Sequence, residues 1–461
     1  MKAFTLGLLA AAAASASPLE ARQSQSTAVL DLAVKRGAPQ QLASGVLYGT
    51  PDTPNQIPDH FYTGPKLKYF RAGGAQLFGN GQRGWHWNEY PARFQSTLSN
   101  YRTARKYGGE FQLLLHDIWG TDTINSTTAW PGDNGNWNSY EAFLDRLIAD
   151  IKANDMVPGL KIDIWNEPDF PWFWTRSTEQ WLELWKRTYA KFRADPQLRQ
   201  LPIIGPSLAS RPTFDNPWWT KFMDFIVRDN VAPDQYTFHM LGDSTDRIND
   251  LETVVRTMDQ FYSQTGAPRR SYSVNEYINA GDERQNSANA WHIARLERYD
   301  ASGLRANWLS EWELHDFLAE LVYRPNAQSE YQPNGAWQLY NYYGQEMTGT
   351  RLASTGSTDG VLDIFGTLSD DGVVRILTGV RARTGTWEIE VRNLSALGFP
   401  ASGEITIQTW GFDDVGLRGV SHGPSDRGQH THAYSDGVLR FPIFQTAEDM
   451  KTAWAFEFSR P

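Results

Sequence analysis

The chain has 461 residues and no cysteine, carries a net charge of −10 and is 40% hydrophobic. That length accommodates one large domain plus a smaller partner, with enough apolar side chains for a sizeable core. The acidic balance disfavours nucleic acid or an anionic membrane as partner, and the lack of cysteine excludes disulfides and thiolate-held metals.

Lys2, the apolar run from Phe4 to Ala14 and the small residues Ala14-Ser15-Ala16 read as a secretory leader over residues 1–16. Arg22-Gln23 is a candidate second, propeptide cut. The apolar run is too short to span a bilayer. The expected location is therefore extracellular, and no later stretch is apolar enough to predict a membrane helix. Asn125-Ser126-Thr127 and Asn393-Leu394-Ser395 are glycosylation sequons.

Across residues 40–345, short apolar runs alternate with helical patterns, which predicts a parallel sheet built from βα units. Eight candidate strands follow: residues 43–49, 66–73, 110–116, 160–165, 202–207, 235–239, 271–277 and 304–308. Segments 177–193 and 287–299 fit helices between them. Eight such strands close most simply into a (β/α)8 barrel. An open doubly wound sheet is the alternative, but no Gly-rich phosphate turn follows the first strand.

The pattern changes over residues 346–461. Trp387, Ile389 and Val391 alternate with polar neighbours, as do Ile405 and Ile407, and Trp454, Phe456 and Phe458. This period of two predicts an accessory antiparallel β-sandwich, joined by the strand-like residues 25–36.

Two carboxylates stand out. Glu167 lies in Trp165-Asn166-Glu167-Pro168-Asp169, just past the fourth predicted strand, and Glu276 lies in Asn275-Glu276-Tyr277, at the end of the seventh. Barrel enzymes place catalytic groups at C-terminal strand ends. Two facing carboxyls are what glycoside hydrolysis requires: one stays protonated to serve the leaving oxygen, and the other is ionised. His116, at the end of the third predicted strand, is a further candidate for substrate contact.

Trp-Asn-Glu-Pro-Asp after strand four, with a second Glu ending strand seven, resembles the clan A glycoside hydrolases, and most specifically glycoside hydrolase family 39. The resemblance implies a barrel followed by a β-sandwich. It implies Glu167 as acid/base, Glu276 as nucleophile, and Asn166 as a partner of the sugar 2-hydroxyl. It also matches Arg71 to the arginine beside the nucleophile, and His239 to the histidine ending strand six. His239-Met240-Leu241 stands where the family's xylosidases usually have His-x-Tyr, and Asn275 stands where they usually have Thr. Those departures bear on substrate more than on reaction.

The chain has 19 tryptophans, several on predicted strand-end loops. Sugar rings stack on indole faces. Trp172 and Trp174 beside Glu167, and Trp308 beside strand seven, are the candidates for substrate contact. Bulky loops carrying Trp119, Trp130 and Trp137 predict a walled pocket and release of terminal sugars from an oligo- or polysaccharide. The alternatives are an open endo-acting cleft or a catalytically silent carbohydrate-binding barrel. Scattered histidines predict no metal site, no Gly-x-Ser-x-Gly elbow points to esterase chemistry, and no cofactor is expected.

Overall fold

The computed structural model describes residues 26–77, 79, 81–122, 128–242, 250–281, 285–381 and 383–461. The leader-like residues 1–16 and the sequon residue Asn125 lie outside them.

Eight parallel strands close into a barrel in chain order. They are Gly45–Leu47, Tyr69–Ala72, Glu110–Leu114, Leu160–Asp163, Ile203–Leu208, Gln235–Met240, Ser271–Tyr277 and Ala301–Arg305. The ring closes where Val46 pairs with Arg305. Strands five and six are buried at every position, as expected where a sheet is covered on one side by helices and on the other by the barrel's own core.

Helix Thr178–Ala194 shows how local sequence builds this layer. Ser177 caps it by accepting a hydrogen bond from the Gln180 amide at 3.2 Å. Trp181, Leu184, Trp185, Thr188 and Phe192 recur at helical spacing and are buried. Trp185 lies against Gly205 of strand five, where any Cβ would overlap its ring.

Two predicted boundaries need correction. Strand three ends at Leu114, and a short helix, Leu115–Trp119, follows, so His116 sits on that helix and not at the strand end. Strand eight is Ala301–Arg305, three residues earlier than expected, which leaves Trp308 in the loop beyond it. Ala301, Ser302 and Gly303 carry too little apolar bulk to register as a strand, and only the barrel's packing makes them one.

The second domain is a nine-stranded closed sheet built from Thr27–Lys35 and eight strands between Thr350 and Ser459. Its core includes Leu30, Ile376, Trp387, Ile389, Val391, Phe441 and Phe456. Neighbouring strands are antiparallel with one exception. Thr27–Lys35 pairs antiparallel with Thr350–Thr355 but parallel with Gly385–Arg392, matching Ala28 to Ile389. The strand that precedes the barrel thus closes the domain that follows it. Asn393 is exposed beyond Gly385–Arg392, and its amide donates to Asp31 Oδ1 at 2.7 Å.

Helix Asn286–Arg298, which follows barrel strand seven, joins the two domains. Ser287 Oγ donates to the Val380 carbonyl at 3.0 Å, and Arg295 Nε meets Asp363 Oδ2 at 2.7 Å. Gly379 packs directly on the Ser287 carbonyl, leaving no space for a Cβ. Gly379→Ala is therefore expected to destabilise the protein by about 1–3 kcal/mol through forced separation of helix and strand. Urea unfolding checks this, and an unchanged midpoint would show that the contact yields freely.

Candidate active site

At the C-terminal mouth of the barrel, Arg71, Asp163, Asn166, Glu167, His239 and Glu276 form one connected cluster. Arg71, near the end of strand two, is fully buried. Its guanidinium spends three donors on three partners: Nε to Asp163 Oδ2 at 2.7 Å, Nη1 to Glu276 Oε1 at 2.7 Å, and Nη2 to Asn166 Oδ1 at 2.8 Å. The planar fork matches this arrangement, whereas a lysine ammonium could not reach all three. Asp163 in turn accepts from Ser207 Oγ at 2.8 Å and from Asn275 Nδ2 at 3.1 Å.

A buried ion pair costs a great deal once one member is removed, because its partners keep their desolvation penalty. Arg71→Met strands Asp163 and Glu276 together. The expected loss in a urea melt is about 3–5 kcal/mol, and a loss below about 1 kcal/mol would mean that water enters and solvates the two acids.

Glu167 sits in a left-handed backbone conformation, φ 43°, unusual for a residue with a side chain. Its amide donates to the Ser207 carbonyl at 2.9 Å, and Asp169 accepts from the Ala209 and Ser210 amides at 2.8 and 3.1 Å. These bonds tie the loop after strand four to the loop after strand five and hold the unusual turn. The Glu167 carboxyl thereby meets His239: Oε1 lies 2.7 Å from Nδ1. His239 Nε2 lies 3.5 Å from Glu276 Oε1.

The electrostatics divide the two acids. Burial, aided by the negative charge of Asp169, pushes the Glu167 carboxyl up to about 7. Burial also pushes Glu276 upward, but His239 and the hydrogen-bonded Arg71 guanidinium pull it back. Burial lowers His239, which favours a neutral imidazole between them. Burial thus raises both acids, and Arg71 supplies a counter-charge to Glu276 through a direct hydrogen bond.

Glu167, His239 and Glu276 each offer one ligand atom, and the three atoms lie within 4.8 Å of one another. Arg71, whose Nη1 donates to Glu276 Oε1 at 2.7 Å, sets a fixed positive charge beside this donor set. The donor set is therefore better suited to moving protons than to holding a metal.

The other predicted site residues fall into two groups. His116 is buried, with Nδ1 2.8 Å from Asp117 Oδ1 and Nε2 bonded to Thr121, and it packs on Trp165. Trp174 is buried too, stacked edge-on against Trp130 and Trp165. Both build the loop instead of facing solvent. Trp172 is 71% exposed and Trp308 40% exposed. The Trp308 indole donates to the Ile278 carbonyl at 3.3 Å, two residues past Glu276.

Asp163 was not singled out from sequence, and Ser207 and Asp169 entered only as members of Gly205-Pro206-Ser207 and Trp165-Asn166-Glu167-Pro168-Asp169, without a role of their own. Asp163 had a signal, as a lone carboxylate in the apolar run Leu-Lys-Ile-Asp-Ile, where a charge requires a partner. Ser207 and Asp169 had none beyond that membership.

No family model and no curated protein sequence matches the chain. Solved structures do. N2152 from Neocallimastix frontalis has a TM-score of 0.73 at 21% identity, covering 95% of this chain and all of that one. A monomeric β-xylosidase from Caulobacter crescentus has a TM-score of 0.57 at 14% identity, covering 94% and 99%. The GH39 enzyme from Xanthomonas axonopodis pv. citri has a TM-score of 0.56 at 13% identity, covering 94% and 97%. These likenesses run through both domains and establish the fold: a (β/α)8 barrel with an accessory β domain closed by the chain's own N-terminal strand.

Proposed function

We propose that this chain is a retaining O-glycosyl hydrolase of the clan A type, with Glu167 as acid/base and Glu276 as nucleophile. The observation that carries the reading is the carboxylate spacing. One oxygen of each acid lies within 4.8 Å of the other. Double displacement uses carboxyls about 5–5.5 Å apart, whereas inversion needs room for a water at about 6.5–9.5 Å.

In this mechanism, protonated Glu167 gives its proton to the glycosidic oxygen as that bond breaks. A Glu276 oxygen attacks the anomeric carbon and forms a glycosyl ester. Glu167, now a carboxylate, takes a proton from water, and the water oxygen displaces Glu276 from the anomeric carbon. Because Arg71 binds Asn166 Oδ1, the amide is oriented with its NH2 group available for a sugar hydroxyl. His239 is held against both acids and is a positioning residue, too deeply buried to bind sugar directly.

Two of the similar structures carry the names β-xylosidase and GH39 enzyme, so aryl xylosides and xylans head the substrate screen. The reading includes action outside the cell, on the strength of the leader-like first residues. The screen is followed by proton NMR of the first product formed: retained anomeric configuration is the expected result, and an inverted product would overturn the mechanism.

The walled single-sugar pocket expected from sequence keeps only part of its basis, with Phe170 and Trp172 exposed after strand four. Of the loop aromatics that motivated it, Trp119, Trp130 and Trp174 are in the core, and Trp137 is packed against it.

A further inference from the structure

The exposed tryptophans of the described residues are Trp172, Trp308 and Trp312. Trp172 follows barrel strand four, while Trp308 and Trp312 follow strand eight. In a closed ring of eight strands, the fourth and eighth stand opposite each other. The two groups of exposed indoles therefore flank the Glu167–Glu276 pair from opposite sides.

The strand-eight side also has a hollow. It measures about 470 Å³ and lies between the loops that follow strands one, two and eight. Gln56, Gln76, Gln82, Trp312, His315 and Arg324 line it. Trp312 is 63% exposed and braced edge-on by Phe317 at 5.7 Å between centroids. Its loop is held in place, because the Glu311 amide donates to Gln76 Oε1 at 2.8 Å and His315 Nε2 to the Ala75 carbonyl at 2.7 Å. His315 Nδ1 faces Asp52 Oδ1, which also lines the hollow, at 3.7 Å. An open indole face with amides, an imidazole and a guanidinium around it presents what a sugar ring needs: a flat apolar surface for its C–H face and polar groups for its hydroxyls. The volume suits a small ligand or part of a larger one.

We infer that this hollow is a sugar-binding subsite with Trp312 as its stacking platform, so that a glycan chain crosses the barrel mouth from the Trp172 side to the Trp312 side and is cut at internal bonds. The inference rests on the glycosidase reading and names its substrate class: an oligo- or polysaccharide, not a single terminal sugar.

The test uses the aryl glycoside found in the screen together with xylo- and cello-oligosaccharides of two to six units, on the wild type, Trp312→Ala and Trp312→Phe. In the wild type, kcat/KM is expected to rise about tenfold or more between the disaccharide and longer chains. Trp312→Ala should lose most of that increment through KM, Trp312→Phe should keep most of it, and the aryl monoglycoside rate should stay within about twofold in both. Where the wild type turns these substrates over, the lack of an increment, an increment that survives Trp312→Ala, or an equal loss on every substrate would each overturn the subsite. Binding is measured in parallel by titrating the hexasaccharides into Glu276→Gln and into Glu276→Gln with Trp312→Ala. Trp312-dependent binding without wild-type turnover on any substrate would sink the catalytic reading and leave the subsite standing. Binding unaffected by Trp312→Ala would sink the subsite alone.

Discussion

Glu276→Ala is expected to lower turnover by about 10⁴-fold or more, because without its carboxylate the proposed covalent intermediate cannot form. Arg71 Nη1 is 2.7 Å from Glu276 Oε1 and His239 Nε2 is 3.5 Å from the same atom. Removing the side chain leaves a cavity beside the Arg71 guanidinium and the His239 imidazole, with Glu167 across from it. Azide is small and anionic and is attracted to that space. With an activated aryl glycoside, it should restore part of the lost rate and give a glycosyl azide of configuration opposite to the substrate. Product NMR reads the outcome directly. If azide restores nothing and Glu276→Ala keeps more than about a tenth of the wild-type rate, Glu276 is not the nucleophile.

The second large effect belongs to Glu167 and appears in the pH profile. A general acid works only while protonated, and burial pushes the Glu167 carboxyl up to about 7. Below that pH the acid is present. Above it, kcat/KM should fall about tenfold per pH unit as the proton is lost. For substrates whose leaving group needs protonation, Glu167→Ala should cost about 10²–10⁴-fold at the optimum. For a glycoside with a good leaving group the loss should be much smaller, and the alkaline limb should disappear. Asp169→Asn removes the negative charge that helps raise Glu167, so it should move that limb to lower pH. A limb near 7 that persists in Glu167→Ala would assign the titration to another group.

The β-xylosidase and GH39 neighbours share the architecture at 13–14% identity. At that distance the fold survives while the loop chemistry is free to change. The departure before Glu276, by contrast, lies inside strand seven. Asn275, before Glu276, donates to Asp163 Oδ2 at 3.1 Å and to Ser207 Oγ at 2.9 Å. It therefore supports the arginine network through Asp163.

Much of the architecture was legible in the sequence because its causes are local. The apolar run Leu160–Asp163 and the capped helix Thr178–Ala194 are set by burial pattern and a serine hydroxyl within one element. Eight such segments in alternation leave few ways to close a sheet. Once it closes in order, the ends of strands four and seven open on the same mouth, so the pairing of Glu167 with Glu276 followed from topology before any coordinate. Where local signal was weak, as in Ala301-Ser302-Gly303, the boundary was misjudged.

What the linear sequence could not determine was how side chains are shared and which of them remain in water. Arg71, on strand two, joins Asp163 and Asn166, at and just past the end of strand four, to Glu276 on strand seven, and His239 stands between both acids; such bonds depend on positions tens to hundreds of residues apart. Exposure was equally hidden. Trp174 and Trp172 are two residues apart and alike in composition, yet one packs against Trp130 and Trp165 while the other stands in solvent. An indole is apolar enough for a core and flat and polar enough for a sugar, so its chemistry alone does not choose between them. Only the packing of the loops around the barrel mouth decides, and it places Trp172 and Trp312 on opposite sides of the two carboxylates.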